Sequence, residues 1–300
     1  MRKSQAMVGR EGRRILPRRQ SSFKHVALLL LLPVCGLIAF LAWVFVQSAI
    51  PQAVTIIPKK KPVAKAAVLP RVETKPAPQK KKGAIVLILD DVGFDHQPLT
   101  AAMAIDPNIN FSVLPNAQHG VEFARTLHAR GFEVLCHLPM EPEGFPGVSP
   151  GDGAVLTSMS NDEIAHATTT NVTAVPYARG VNNHMGSRAT ADPRVMRTVL
   201  SSLPRGMYFI DSRTSGSSLG LSIAREMRVP TAARNIFLDD VQSTAAVKSE
   251  LRALRRVAEE RGVAIAIGHM YPVTIRALAE EIPAMKEDGF HLIRASEAVR

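Results

Sequence analysis

Residues 85–93 are the most informative part of the sequence for the fold: Ile85-Val86-Leu87-Ile88-Leu89-Asp90-Asp91-Val92-Gly93. Its five consecutive apolar residues are typical of a strand that is buried on both faces. Two carboxylates and a glycine follow at the carboxyl end of this strand, where α/β folds bind their ligands. The buried strand predicts an α/β fold. Because a buried pair of acids costs free energy unless it binds a metal or shares a proton, we expect a functional site at this strand end.

Five later segments repeat the pattern, in which a short apolar run is followed by an aspartate or a histidine. They end at His137, His184, Asp211, the pair Asp239-Asp240, and His269. If the six strands are parallel, all of these ends lie on one rim of a sheet or barrel. We therefore expect the six ends to form one site.

Strand-like runs alternate with helical patterns from Gly83 onward, which is typical of βαβ units and a mostly parallel sheet. This alternation favours a short or irregular (β/α) barrel, with an open sheet as the alternative. The predicted strands are 84–89, 110–114, 132–137, 179–183, 207–210, 235–238, 263–268 and 290–293. The predicted helices are 119–130, 161–173, 192–202, 218–227, 244–261 and 273–286.

The N-terminal part of the chain has the pattern of a membrane anchor. Residues 26–46 carry no charged side chain and are long enough to cross a bilayer as one helix. The arm before them, 1–25, holds eight Lys and Arg against one acid, which favours a cytoplasmic N-terminus. Residues 47–82 are rich in Pro and Lys and predict an extended linker. The apolar stretch exceeds the core of a cleavable signal peptide, so we expect an uncleaved, single-pass anchor with 83–300 outside the cytoplasm.

The net charge of +11 is unevenly distributed along the chain. Residues 83–300 hold 20 Lys and Arg against 24 Asp and Glu, a net charge of −4, so the basic excess belongs to the N-terminal segments. A nucleic-acid-binding domain needs a basic surface that follows the phosphates. We therefore expect no nucleic acid among the partners.

The polar residues at the strand ends are those that metal-dependent hydrolysis requires. A divalent ion held by two histidines and one carboxylate lowers the pKa of its bound water and keeps coordination positions open. A second carboxylate can act as the base and a further histidine as the acid. Because successive strand residues point to opposite faces, only one of the adjacent Asp90 and Asp91 needs to face the metal.

The motifs at these strand ends resemble those of the divergent polysaccharide deacetylases, bacterial proteins related to the carbohydrate esterases of NodB type. The motifs are Leu-Asp-Asp-Val-Gly (89–93), His-Leu-Pro-Met-Glu-Pro (137–142), Asn-Asn-His-Met-Gly-Ser (182–187), Asp-Ser-Arg-Thr (211–214), Phe-Leu-Asp-Asp (237–240) and Gly-His (268–269). The resemblance spans residues 83–300. It implies a distorted (β/α) barrel of the NodB-like type, a Zn²⁺ site and deacetylation of a polysaccharide or oligosaccharide. In a bacterium, the anchor then lies in the inner membrane and the domain in the periplasm.

The resemblance also implies roles for individual residues. Asp91, His137 and His184 would be the metal ligands. Asp90 would be the catalytic base, and His269 the catalytic acid. The better-known deacetylases place two metal histidines in one His-x-x-x-His motif, which this sequence lacks. Here the two histidines would come from separate strands.

Three further residues are implied at the edge of the site. Asp211 and Asp240 would orient the histidines or contact the substrate. Arg213 would either bind an anionic group of the substrate or pair with Asp211. Asp240 and its neighbour Asp239 have an alternative interpretation, because they could cap the helix that begins near Thr244 or pair with Arg234.

Two other functions stay open at the level of the sequence. The first is a weakly active or inactive glycan-binding or scaffold protein that retains the barrel. The second is a metal-dependent hydrolase of another ester, such as a phosphodiester, for which a site with two close metals is typical.

Overall fold

The computed structural model describes residues 82–300. The predicted arm 1–25 and anchor 26–46, and the predicted linker except for its last residue, lie outside the described residues. Within 82–300, no helix has both the length and the hydropathy that a membrane span requires.

The described residues form one sheet in which every pair of neighbouring strands is parallel. The strand order is β6-β5-β4-β3-β2-β1-β8-β7, and β9 pairs with the start of β1. Each of the eight predicted strands is observed. The ninth strand, β6, was not predicted, because its three residues are too few to give a recognisable pattern. The strands are β1 Gly83–Val92, β2 Asn110–Val113, β3 Glu133–Met140, β4 Ala178–Met185, β5 Tyr208–Asp211, β6 Thr231–Ala233, β7 Ile236–Phe237, β8 Val263–His269 and β9 Phe290–Leu292.

Helices connect most of these strands, and the six predicted helices agree with the observed ones within two residues at each end. Their starts follow from capping chemistry: Ser160 and Glu163 form the capping box of α3, and Asp192 caps α4. Two short helices, α1 and α8, were not predicted. The helices are α1 Leu99–Met103, α2 Gly120–Ala129, α3 Asn161–Ala174, α4 Pro193–Ser201, α5 Gly220–Glu226, α6 Thr244–Arg261, α7 Pro272–Glu287 and α8 Ala295–Ala298.

The C-terminal segment shows that the sheet is curled. Ile293 N donates to Ile85 O of β1 at 2.9 Å, and seven residues later Arg300 N donates to Thr231 O of β6 at 3.3 Å. The strands β1 and β6 are five steps apart, about 24 Å in a flat sheet. A segment of this length that includes a helical turn reaches only about 16 Å. The expected distorted barrel is therefore a curled half-barrel, in which the edges β6 and β7 do not pair with each other.

Both faces of the sheet are buried. The outer face packs against the helices, for example through Val247, Leu251 and Leu254 of α6. On the inner face, Val86, Leu135 and other apolar side chains pack under Ala295 of α8. Each fully buried side chain of this kind contributes about 1.5–3 kcal/mol. At the carboxyl ends of the strands the apolar core gives way to charged side chains, as the first stretch of the sequence predicts.

Candidate active site

Asp90 and Asp91 both face one cleft at the end of β1. The main chain at Asp91 has φ 56°, in the left-handed region, and the pairing of β1 with β2 shifts register between Leu89 and Val92. The alternation of a regular strand is interrupted there, so neighbouring side chains reach the same side. Such a conformation costs about 1–3 kcal/mol at a residue other than glycine, and it is common at functional sites.

The structure brings together the three residues that were predicted to bind metal. Asp91 Oδ1 lies 3.0 Å from Nδ1 of His184 and 3.3 Å from Nε2 of His137. The two histidine nitrogens are 3.2 Å apart. His137 and His184 come from the neighbouring strands β3 and β4, so one carboxylate and two imidazoles meet without a His-x-x-x-His motif. We call Asp91, His137 and His184 the triad.

The triad fits a divalent cation. Asp91 Oδ1 is buried and has no hydrogen-bond partner, an arrangement that costs free energy unless a ligand is bound. Two imidazoles and a carboxylate are ligands that zinc prefers. Burial disfavours a charge on Asp91, but the imidazoles of His137 and His184 outweigh it and lower the pKa of the carboxyl. Asp91 is therefore held in the ionised form that a metal ligand needs.

His137 responds to the same local charge. Burial favours its neutral form, but the carboxylates of Asp90 and Asp91 outweigh burial and raise its pKa to about 9. The two carboxylates thus favour a positive charge at this point, and a bound cation would supply one.

Asn182 connects the predicted base to the triad. Its Oδ1 lies 2.9 Å from Nδ1 of His137, and its Nδ2 donates to Asp90 Oδ1 at 2.9 Å. In the neutral ring that binds a metal, an Nδ1–H that donates to Asn182 leaves Nε2 of His137 with its lone pair toward Asp91. Asn182 is not among the site residues predicted from the sequence. Its position two residues before His184, on the same strand face, was the available signal.

Asp90 lines the cleft but is almost fully buried. Its Oδ2 lies 3.5 Å from Nε2 of His137. Burial raises the pKa of Asp90. The side chains of His137, His269 and Asn182 act in the opposite direction, but burial outweighs them. A carboxylate beside the triad with a raised pKa accepts a proton more readily than one in water.

His269, the predicted acid, is oriented by a carboxylate. Asp239 Oδ1 lies 3.0 Å from Nδ1 of His269, and Asp239 Oδ2 accepts from the main-chain N of His269 at 2.6 Å and from Thr274 Oγ1 at 2.7 Å. The other ring nitrogen, Nε2, lies 3.6 Å from Asp91 Oδ2. Burial lowers the pKa of His269, but Asp239, Asp90 and Asp91 outweigh it and raise the pKa.

Asp211 and Asp240 do not orient the histidines of the site. Asp211 is buried and accepts from Arg213 N, Ser218 Oγ and Leu221 N, so it holds the loop after β5. Asp240 is exposed at the margin of the cleft, and among residues 82–300 neither acid hydrogen-bonds to a histidine. The strand β7 ends at Phe237, so regular alternation does not extend to the acidic pair, and Asp239 is the buried member.

Arg213 also lines the cleft. It has φ 49°, and its guanidinium forms no ion pair with Asp211 or any other acid of the described chain. The sequence predicts that Arg213 either binds an anionic group of the substrate or pairs with Asp211. In the structure Arg213 bonds to Asp211 only through its main-chain N, and its side chain does not take part.

The triad lies where two clefts meet. The larger cleft, of about 740 Å³, extends from the triad past His269 toward Arg213 and Arg234. A smaller one, of about 340 Å³, runs from Asp91 and His184 to the loop residues 149–152. A bound chain can therefore extend on both sides of the triad.

Comparisons with known proteins show what the chain is similar to. Residues 87–299 match the family described as "Divergent polysaccharide deacetylase". The chain is 34% identical to the uncharacterized protein YibQ of Escherichia coli K12, over 71% of this chain and 66% of YibQ. It is 35% identical to an uncharacterized protein of Haemophilus influenzae, over 68% of this chain and 72% of the relative. The chain thus spans slightly less than two thirds of the length of YibQ.

A crystal structure of an uncharacterized protein from Agrobacterium tumefaciens C58 has a similar fold. The TM-score is 0.70 at 21% sequence identity, and the likeness covers 75% of this chain and 92% of that chain. At this identity the likeness concerns the fold alone.

Proposed function

The chain belongs to the divergent polysaccharide deacetylase family, and from this premise we propose that it is a metal-dependent deacetylase of a polysaccharide or oligosaccharide. One observation carries the proposal: the buried Asp91 Oδ1 faces two imidazole nitrogens, at 3.0 and 3.3 Å, and has no hydrogen bond. A second carboxylate, Asp90, and an oriented histidine, His269, line the same cleft.

Asp91, His137 and His184 would hold the ion, for which we propose zinc because of the two imidazole ligands. A bound zinc ion would polarise the acyl carbonyl and lower the pKa of a water molecule. The described residues provide one such group of ligands. One ion per chain therefore favours the deacetylase over the phosphodiesterase, which typically uses two close metals.

Asp90 acts as the base in this proposal. As the water oxygen forms its bond to the acyl carbon, Asp90 takes the proton of that water. Asn182 holds Oδ1 of Asp90, so the carboxylate keeps its orientation while the proton is transferred. The raised pKa of Asp90 helps because a stronger base accepts the proton more completely.

His269 acts as the acid. Asp239 engages Nδ1, so the proton on Nε2 is the one that passes to the leaving nitrogen or oxygen when the bond from the acyl carbon breaks. The products are acetate and the free amine or hydroxyl of the sugar. Asp239 stabilises the imidazolium before the transfer and fixes the ring orientation.

We also propose that residues 26–46 anchor the protein in a bacterial inner membrane, with the N-terminus in the cytoplasm and the domain in the periplasm. The uncharged stretch of 21 residues and the basic arm before it support this topology. An alkaline phosphatase fusion after residue 300 tests it, because the phosphatase is active only outside the cytoplasm. An inactive but intact fusion would contradict the proposed topology.

Acetate release tests the proposed activity. The full-length protein, purified in a mild detergent and loaded with zinc, is incubated with chito-oligosaccharides and with acetylated xylan. We expect acetate from at least one of them, and none after the metal is removed with a chelator. Glycan binding by the zinc-loaded protein without any acetate release would instead favour the inactive glycan-binding alternative.

A further inference from the structure

Five arginines line the open edge of the half-barrel. Two adjoining depressions, of about 320 and 350 Å³, lie beside β6 and the start of β8, and no aspartate or glutamate lines either of them. We call them the arginine trough, which is lined by Arg213, Arg225, Arg234, Arg261 and Arg300. This concentration of positive charge contrasts with the net charge of −4 over residues 83–300.

The arginine trough is continuous with the cleft of the triad. Arg213, Arg234 and Asn235 line both depressions and the large cleft. The large cleft is lined by the acids Asp90, Asp91, Asp240 and Glu250 as well as by these arginines, whereas the trough is lined by arginines without acids. A chain bound at the triad that continues past Arg213 therefore enters the trough.

The trough guanidinium groups have no acidic partners. Within residues 82–300, the arginines that form ion pairs are Arg188, Arg197 and Arg255, all outside the trough. Arg234 donates instead to two main-chain carbonyls, Ser212 O at 2.6 Å and Arg213 O at 2.7 Å. These bonds fix the position of its guanidinium but do not neutralise its charge.

The closeness of Arg213 and Arg234 favours an anion between them. Burial and the neighbouring charge of Arg213 lower the pKa of Arg234, and they outweigh the opposing carboxylates of Asp211 and Asp90. Guanidinium groups bind carboxylates and phosphates through two parallel hydrogen bonds, stronger than those between neutral groups. An anionic ligand would weaken the repulsion between the two guanidinium groups and form such bonds.

We propose that the glycan bound by this protein is anionic, and that Arg213 and Arg234 bind a carboxylate or phosphate of it beside the triad. The other arginines of the trough bind the next anionic groups along the chain. This inference rests on the proposed function for the identity of the ligand as a glycan, and it adds the charge of that glycan.

Matched oligosaccharides test the inference. The probes are a chito-oligosaccharide, the same oligosaccharide oxidised to a carboxylate at C6, and its C6 phosphate. We expect the full-length protein at low salt to bind at least one anionic probe about tenfold or more tightly than the neutral one, or about 1.4 kcal/mol. The carboxylated and phosphorylated probes distinguish the two sources of the anion.

A matched pair of variants locates the binding. Arg213→Gln/Arg225→Gln removes two charges from the trough, and Arg252→Gln/Arg256→Gln removes two from the exposed surface of α6, outside the trough. The basic N-terminal segments are the same in both variants, so their nonspecific attraction cancels. We expect the first variant to lose the preference for anions about tenfold and the second to retain it. If the first variant is unfolded by circular dichroism, Arg225→Gln/Arg261→Gln, which alters no hydrogen bond of the loop after β5, replaces it.

The inference would be overturned if the trough and surface variants preferred the anionic probes equally, or if the wild type showed no preference for them. The metal content of the same samples separates this failure from that of the proposed function. If the wild type binds metal but its preference for anionic probes does not depend on the trough, only the proposed anion binding in the trough is contradicted. A wild type without metal contradicts the proposed function, whatever its charge preference.

Discussion

Asp239 receives two hydrogen bonds from His269, one from the main-chain N at 2.6 Å and one from Nδ1 at 3.0 Å. Thr274 Oγ1 donates to the same carboxylate at 2.7 Å. The imidazole is therefore fixed at its position and in its ring orientation, and Nε2 is left toward the cleft. This pair defines the acid of the proposed reaction.

Replacing Asp239 by Asn should change the pH dependence of acetate release. The carboxylate stabilises the imidazolium and raises the pKa of His269 against the opposing effect of burial. Without the carboxylate, His269 loses its proton at a lower pH, so the alkaline decline of the pH–rate profile should move to lower pH. At neutral pH the rate should fall roughly 10²–10⁴-fold, the typical contribution of a general acid. A shift caused by Asp240→Asn instead would contradict the assignment of Asp239.

Asp90→Asn should separate catalysis from metal binding. Asn cannot accept the proton of the attacking water, so the rate of acetate release should fall roughly 10²–10⁴-fold. The metal content should stay near that of the wild type, because Asp91 and the two histidines are unchanged. A variant with full metal and nearly normal activity would show that another group is the base.

Glu141 should stabilise the loop after β3 in a pH-dependent way. It accepts from Thr157 N at 2.5 Å, from Thr157 Oγ1 at 2.7 Å and from Arg188 at 2.8 Å. Burial opposes its charge, but these donors outweigh burial and lower its pKa from the ordinary 4.5. The stabilisation is therefore present above about pH 4.5 and is lost as the pH falls through the lower pKa of the folded state.

Urea unfolding of Glu141→Gln checks this expectation. At pH 7 the free energy of unfolding should fall by about 1–3 kcal/mol, because charged hydrogen bonds are lost in a buried place. The difference from the wild type should shrink below pH 4.5. The exposed neighbour provides the control, since Glu143→Gln should change the stability by less than about 0.5 kcal/mol. Equal effects of the two variants would exclude the proposed role of Glu141.

Gly180 should not tolerate a methyl group. A Cβ at this position would clash with the ring of Tyr208, and the hydroxyl of that ring donates to the buried Glu133 at 2.7 Å. The ring cannot move away without breaking this bond, so Gly180→Ala should destabilise the protein by about 1–3 kcal/mol or more. Gly216→Ala meets no atom within 4 Å and should stay within about 0.5 kcal/mol. Thermal unfolding of the two variants compares them, and similar midpoints would contradict the described packing.

The sequence predicts this fold well because its signals are local. The run Ile85–Leu89 is fully buried on both faces of β1, as five consecutive apolar residues indicate. The helix α6 spans Thr244–Arg261, the range predicted from the sequence, and Gly262 follows its last residue with φ 81°. The strand β6 has only three residues and was missed, because its pairing with β5 comes from the curl of the sheet rather than from its own composition.

The site is predictable only in part, because several side chains depend on the main chain at strand ends. Alternation suggests that one of Asp90 and Asp91 faces the metal, but the left-handed conformation at Asp91 turns both into one cleft. The pair Asp239 and Asp240 follows a strand of two residues, too short to decide which acid is buried. The arginine trough combines residues from distant parts of the chain, so no single motif reveals it.

The metal content of the full-length protein shows whether the triad binds zinc. The protein is purified in a mild detergent, supplied with zinc and dialysed, next to Asp91→Ala, His184→Ala and the control His119→Ala, whose ring pairs with Asp95 and lines neither cleft of the triad. We expect about one zinc per chain in the wild type and in the control, and a loss of zinc in both triad variants. A folded wild type that retains no metal, or triad variants that retain as much as the wild type, would contradict the proposed zinc site.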